Sequence, residues 1–201
     1  YLASRGFDVW LTEYRGDRTS NPPDARTWRR GAWDADDIAS GDIPAVLDHI
    51  AARTGRDQVF WVGHSLGGAL GYIVAQGPWA DRLAGLVAIG SPGAFVRPND
   101  LALFGWRHRR LLPAGGQVPT RPLSRLLLPT VRDHPRSYLI HVIANTANAD
   151  PERLHEFVGP GMENTGRGLL LQYTSWMADG HLTSRDGSVD YTDGLADIRV
   201  P

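Results

Sequence analysis

Between Val59 and Gly68 the sequence reads VFWVGHSLGG, an apolar run that passes without a linker into a Gly-x-Ser-x-Gly corner. No other stretch restricts the fold as much. A short run rich in β-branched and aromatic residues reads as a strand buried in a sheet, and the SLGGALGYIVAQ that follows reads as a helix. A strand that turns into a helix at such a serine lifts its hydroxyl above the sheet edge, against the positive end of the helix. Side chains two residues before and two after would collide in so tight a turn, which accounts for Gly63 and Gly67. An ordinary helix-capping serine explains Ser65 but not the glycines on both sides.

The flanking segments extend this unit. RGFDVWLTEYRGD (5–17) places Val9, Trp10 and Leu11 in a run expected to form a strand buried on both faces, followed by a polar, Pro-rich surface loop. From Asp34 to Thr54, Ile38, Ile43, Val46, Leu47 and Ile50 fall mostly at helical spacing. Gly41 and Pro44 make the early part irregular, so the helix is expected to begin near Pro44 and to stop at Gly55. Strand 58–63, helix 65–76 and strand 83–90 then alternate, which implies an α/β fold with a mostly parallel, doubly wound sheet covered by helices. Residues 1–95 read as a partial core. Residues 96–165, broken by Pro and Gly yet rich in Leu, read as an inserted helical cap. Residues 166–201 return to the core, and DYTDGLADIRVP approaches a late strand.

Composition serves mainly to exclude. The formal net charge is −1, from 21 Lys+Arg against 22 Asp+Glu, so no long-range field favours nucleic acid or an anionic membrane. The absence of cysteine removes disulfides, thiolate metal sites and a cysteine nucleophile, and fits a cytoplasmic location. No apolar run approaches the ~20 residues that span a bilayer. The chain opens on Tyr1 without a signal-peptide pattern and stops at Pro201 as an extended segment begins. It therefore reads as an internal piece of a longer protein, truncated at both ends.

GFDVWLTEYRG, DIPAVLDHIAARTGRDQVFWVGHSLGG and LAGLVAIGSPG, in that order and with the closing DYTDGLADIRVP, resemble the α/β-hydrolase superfamily. Within it they are most similar to the serine hydrolase branch of acid lipases and related bacterial hydrolases. The resemblance runs nearly end to end, the cap matching only in position. It implies that the strands named above are the fourth, fifth and sixth of the family's sheet. It also implies Ser65 as nucleophile, the Leu66 backbone N–H as an oxyanion donor, and Gly63 and Gly67 as the elbow glycines. Tyr14 and Arg15 receive no catalytic role. In this family the acid follows the sixth or seventh strand and the histidine comes last. The first acidic residue after LVAIG is Asp100, too far along to sit at that strand's tip. The triad acid and histidine are therefore expected beyond Pro201, and the second oxyanion donor before Tyr1.

The expected activity is cleavage of carboxylic esters, as a small molecule or a lipid, through an acyl-enzyme on Ser65, with no cofactor. Two other functions use the same residues: a hydrolase-like binding protein without catalysis, and an acyltransferase or peptidase. The histidines within the chain are assigned bystander roles. His64 is expected to pack beside the elbow, His49 to lie on a helix rim, and His108, His134, His141 and His155 to belong to the cap. Asp179 and His181 form a tempting pair, but they precede the late strand and are not taken as the dyad. No histidine pair has metal-ligand spacing. The ADD at 35–37 reads as a solvated helix start, with Asp42 free to brace a loop, and RHRR (107–110) as a solvated face. Most of the seven Trp are core candidates, and Trp106 is the one expected to meet substrate.

Overall fold

Asp34 opens the first helical segment. Its carboxylate accepts the Asp37 N–H at 3.1 Å, and the Asp37 carboxylate accepts the Asp34 N–H at 3.0 Å, a reciprocal capping box. The computed structural model describes residues 1–16, 20, 32–97, 100–112, 116–133, 145, 147–158 and 163–201. In it, helix α1 (Ala35–Asp37) continues through a π-helical turn (Ile38–Asp42) into α2 (Ile43–Thr54), which ends at Gly55 with φ 69°. The regular α-helix thus begins at Ile43, near the expected Pro44, and the irregular early part is the π-helical turn. Pro44 has no N–H to offer the preceding turn, and the chain answers with a wider turn rather than a break. The acidic residues here are not simply solvated: Asp34 is 2% exposed, and Asp36 accepts the Arg185 N–H at 2.7 Å and the Tyr191 hydroxyl at 2.8 Å.

Strand β1 (Val59–His64) pairs in parallel with β2 (Leu83–Ile89), and helix α3 (Leu66–Gln76) connects them. Register puts Trp61 beside Leu86 and Gly63 beside Ala88 on the face against which α3 packs. The opposite face carries Phe60, Val62, Val87 and Ile89, each about half exposed or more. The expectation of helices on both faces is therefore met on one face only among the described residues. Leu70, Ile73 and Val74 of α3 join Ile38, Ile43 and Leu47 in the core, with Trp33 and Trp176 at 2% and 1% exposure. Burying such side chains contributes about 1.5–3 kcal/mol each.

The expected first strand needs correction. Residues 7–14 form neither helix nor strand and enter no sheet, and Phe7 and Leu11 are 59% and 95% exposed. An apolar run becomes a strand only where a neighbour offers ladder partners. This segment is held by side chains instead. Trp10 meets the His49 ring edge-on at 5.7 Å, and the Arg15 guanidinium binds Asp42 at 2.6 and 2.8 Å. Asp42 therefore braces a loop. Most of the Pro-rich loop lies outside the described residues.

Beyond β2 the described residues include the helices α4 (Asp100–Arg107), α5 (Thr120–Asp133) and α6 (Pro151–Val158), with most of SYLIHVIANT outside the described residues. A short antiparallel ladder joins β3 (Gln117–Val118) to β4 (Thr165–Gly166). Helix α7 (Arg167–Asp179) packs against α4 and ends at Gly180, φ 86°. After a 3₁₀ turn (Asp193–Asp197) the chain runs extended, and the Pro201 carbonyl accepts the Leu86 N–H at 2.8 Å. Pro201 thus lies alongside β2. Among the described residues no helix is long and apolar enough to cross a membrane.

Candidate active site

Ser65 stands where β1 gives way to α3, at φ 51° and ψ −117°. Among the described residues it alone is a non-glycine with positive φ. Such a conformation costs about 1–3 kcal/mol and persists only where the surroundings over-determine it. The surroundings here are specific. The Ser65 N–H donates to the Ile89 carbonyl at 3.0 Å, which ties the turn to the end of β2. The Ser65 carbonyl accepts from Gly68 and Ala69 N–H at 3.1 and 3.2 Å, which starts the helix. The hydroxyl makes no capping bond and has no hydrogen-bond partner among the described residues. Ser65 is therefore not an ordinary N-cap, whose side chain would be spent on the first turn. The Leu66 N–H, at the helix start, likewise makes no hydrogen bond among the described residues.

The two elbow glycines are not equivalent. A Cβ on Gly63 would run into the backbone of Gly67 and Gly68, so the strand and the first turn of α3 can approach only through glycine. A Cβ on Gly67 meets nothing within 4 Å, so the expected collision on that side is not found. Gly68 is the one whose Cβ would strike Ser91. Ser91 in turn donates to the Ile89 carbonyl at 3.1 Å and to the Gly63 carbonyl at 3.4 Å. Sequence reasoning missed Ser91 and Trp61. Trp61 was findable, since period-two alternation places it on the same face as Gly63.

The other candidates disperse. His64 is exposed, with its ring beside Gly90, His49 packs on Trp10, His108 lies 4.4 Å from the Phe104 ring, and His155 is exposed on α6. His134 and His141 lie outside the described residues. Asp179 and His181 do not pair. His181 Nδ1 lies 2.7 Å from Asp190 and 4.0 Å from Asp193. These three side chains offer ligand atoms within 4.8 Å of one another, the nearest approach to a metal-ligand set among the described residues. Burial pushes the Asp190 carboxyl up, but the Asp193 N–H, His181 and the Thr192 N–H outweigh it and hold the group below its ordinary value.

Trp106 lies under the Arg109 guanidinium at 4.2 Å and lines an open cleft of about 750 Å³ with Arg167, Asp179, Arg185 and Asp186. Ser65 does not line this cleft. Of the RHRR run, Arg107, His108 and Arg110 are exposed as expected, while Arg109 is spent on Trp106. Burial raises the Asp34 carboxyl, and the exposed end of Arg185 reaches it at 3.1 Å. Burial and the bond to Asp36 likewise raise the Tyr191 hydroxyl.

The sequence model of the alpha/beta hydrolase fold matches residues 1–134. Human lipase member N is 31% identical over 108 residues, 50% of this chain and 26% of that protein. Triacylglycerol lipase 2 of Arabidopsis thaliana is 40% identical over 77 residues, 35% of this chain and 18% of the relative. Human lysosomal acid lipase/cholesteryl ester hydrolase is 37% identical over 97 residues, 44% and 24% of the two chains. The chain thus aligns with about a quarter or less of the length of these relatives.

Proposed function

The chain belongs to the alpha/beta hydrolase fold family, and on that premise we propose that the protein is a serine hydrolase cleaving carboxylic esters, with Ser65 as nucleophile. One observation carries the reading. A serine is held at positive φ at the start of a helix, between parallel strands, with its hydroxyl unspent. Strain of that kind has no structural use at an ordinary helix start. The relatives are lipases by name, one for triacylglycerols and one for cholesteryl esters, which points to lipid esters as the substrate class.

In this mechanism the Ser65 hydroxyl adds to the ester carbonyl carbon as its proton passes to an imidazole. The tetrahedral oxyanion lies toward the positive end of α3 and takes a hydrogen bond from the Leu66 N–H. Collapse expels the alcohol, which takes the proton, and water then releases the acid and regenerates Ser65. The acid and histidine of the triad lie, on this reading, after Pro201, and residues 96–165 form the cap over the site.

A fluorophosphonate tests the assignment directly. In the full-length protein it is expected to modify Ser65, seen by peptide mapping. Ser65→Ala is expected to lose the label and to lower ester turnover by about 10⁴-fold or more. A native protein in which Ser65 stays unreacted, or a Ser65→Ala variant that keeps its turnover, overturns the proposal.

A further inference from the structure

The carbonyl of Gly67 has two neighbours that an ordinary first-turn carbonyl lacks. It abuts Gly63 so closely that no Cβ fits between them, and it accepts a hydrogen bond from the Trp61 indole N–H at 2.9 Å. Trp61 precedes Ser65 on β1 and Gly67 follows it on α3, so this bond closes a ring around the strained serine. The helix is shaped to admit the indole. A Cβ on Gly71 would come 2.9 Å from Trp61 Cδ1, 3.0 Å from its Nε1 and 2.6 Å from Leu86. A part-buried indole N–H needs an acceptor, and a helical carbonyl has a second lone pair to offer.

On the other side of the turn, the Ser65 N–H is held by the Ile89 carbonyl at 3.0 Å. Ladder and indole therefore grip the peptide unit before Ser65 and the Gly67–Gly68 unit beyond it. The Ser65–Leu66 unit, which carries the Leu66 N–H, lies between these two fixed points.

We infer that Trp61 is a positioning residue for the Ser65 site, its indole N–H fixing the first turn of α3 and with it the alignment of the Leu66 N–H and the Ser65 hydroxyl. The inference rests on the reading of Ser65 as a nucleophile. It requires the hydrogen bond itself, not only the bulk of the ring.

The test is made in the full-length protein, with Trp61 replaced by 3-benzothienylalanine, in which sulfur stands for the indole N–H, and in parallel with Trp61→Phe. Val74→Ala, which empties a buried position on the same helix, reports what lost packing alone does. Both Trp61 replacements are expected to lower kcat and the rate of fluorophosphonate labelling about 10- to 100-fold. KM is expected to change by less than about twofold, and Val74→Ala to keep its kcat. Amide exchange at Gly68 and Ala69, which donate to the Ser65 carbonyl, is expected to quicken about tenfold relative to the far end of α3. A benzothienyl variant with wild-type kcat overturns the inference, whatever its exchange. If Ser65 does not label in the unsubstituted protein, the hydrolase proposal falls instead. Exchange then decides the brace alone, and unchanged rates at Gly68 and Ala69 overturn it.

Discussion

Around Ser65 the chain is held by contacts that involve the backbone itself: the ladder bond to Ile89, the Gly63 backbone against Gly67, and Gly68 against Ser91. Helices α5 and α6 pack against one another, with Leu154 and Ser124 buried while Leu123, Leu126 and Phe157 stay 57%, 74% and 49% exposed. In the first region, at Gly63 and Gly68, a single residue type satisfies the position, because a Cβ has nowhere to go. In the second only an amphipathic pattern is required, and many sequences supply one. The difference teaches where substitution is felt, and it can be broken or sharpened by experiment.

The largest contrast is expected from leucines of α3 and α5. Leu70→Ala, at 2% exposure on α3, should lower unfolding free energy in urea by about 2–5 kcal/mol. Leu126→Ala, at 74% exposure, should change it by less than about 0.5 kcal/mol. Equal losses would mean that the helical region is as tightly specified as the elbow.

Glycines give a smaller and finer contrast. Gly63→Ala and Gly68→Ala are expected to cost about 1–3 kcal/mol, because the added carbon meets backbone or the Ser91 side chain. Gly105→Ala in α4, where nothing lies within 4 Å, should stabilise by about 0.5–1 kcal/mol. Gly67→Ala is the sharpening case. Its open surroundings place it with Gly105 in stability, and a loss as large as that of Gly63→Ala would restore the symmetric collision expected from the motif.

The smallest effect lies in the loop after α7. Hydrogen bonds from the Ser188 hydroxyl, the Ser188 N–H and the Ser184 hydroxyl lower the Asp186 carboxyl from 3.8 to about 2. A lowered carboxyl contributes stability that is complete above the ordinary value and is lost as pH falls through the lowered one. Asp190 acts in the same sense. Asp34, raised by burial, acts in the opposite sense, since the fold gains as that group takes up its proton. Asp186→Asn should therefore be slightly less stable than wild type at neutral pH. The difference should vanish between pH 4 and 2 in thermal scans, and a constant offset across that range would remove Asp186 from the acid limb.

Much of the fold could be read along the chain. The strands around Val59–His64 and Leu83–Ile89, and the helix between them, follow from apolar runs cut by glycine. Helix α7 and its stop at Gly180 follow from period and capping. The segment 7–14 misled because an apolar run says that burial is sought, not that a pairing partner is at hand. Asp36 misled because its partners, Arg185 and Tyr191, lie far along the chain.

At the elbow the sequence by itself determined that a serine sits between a strand and a helix with glycines on either side, since these are local matters of sterics and period. Only the tertiary structure decided which glycines are obligatory, that Ser91 and Trp61 close on the turn, and that His181 turns to Asp190 rather than Asp179. Those choices depend on β1, β2 and α3 meeting at contact distance, and such distances exist only after distant segments have packed.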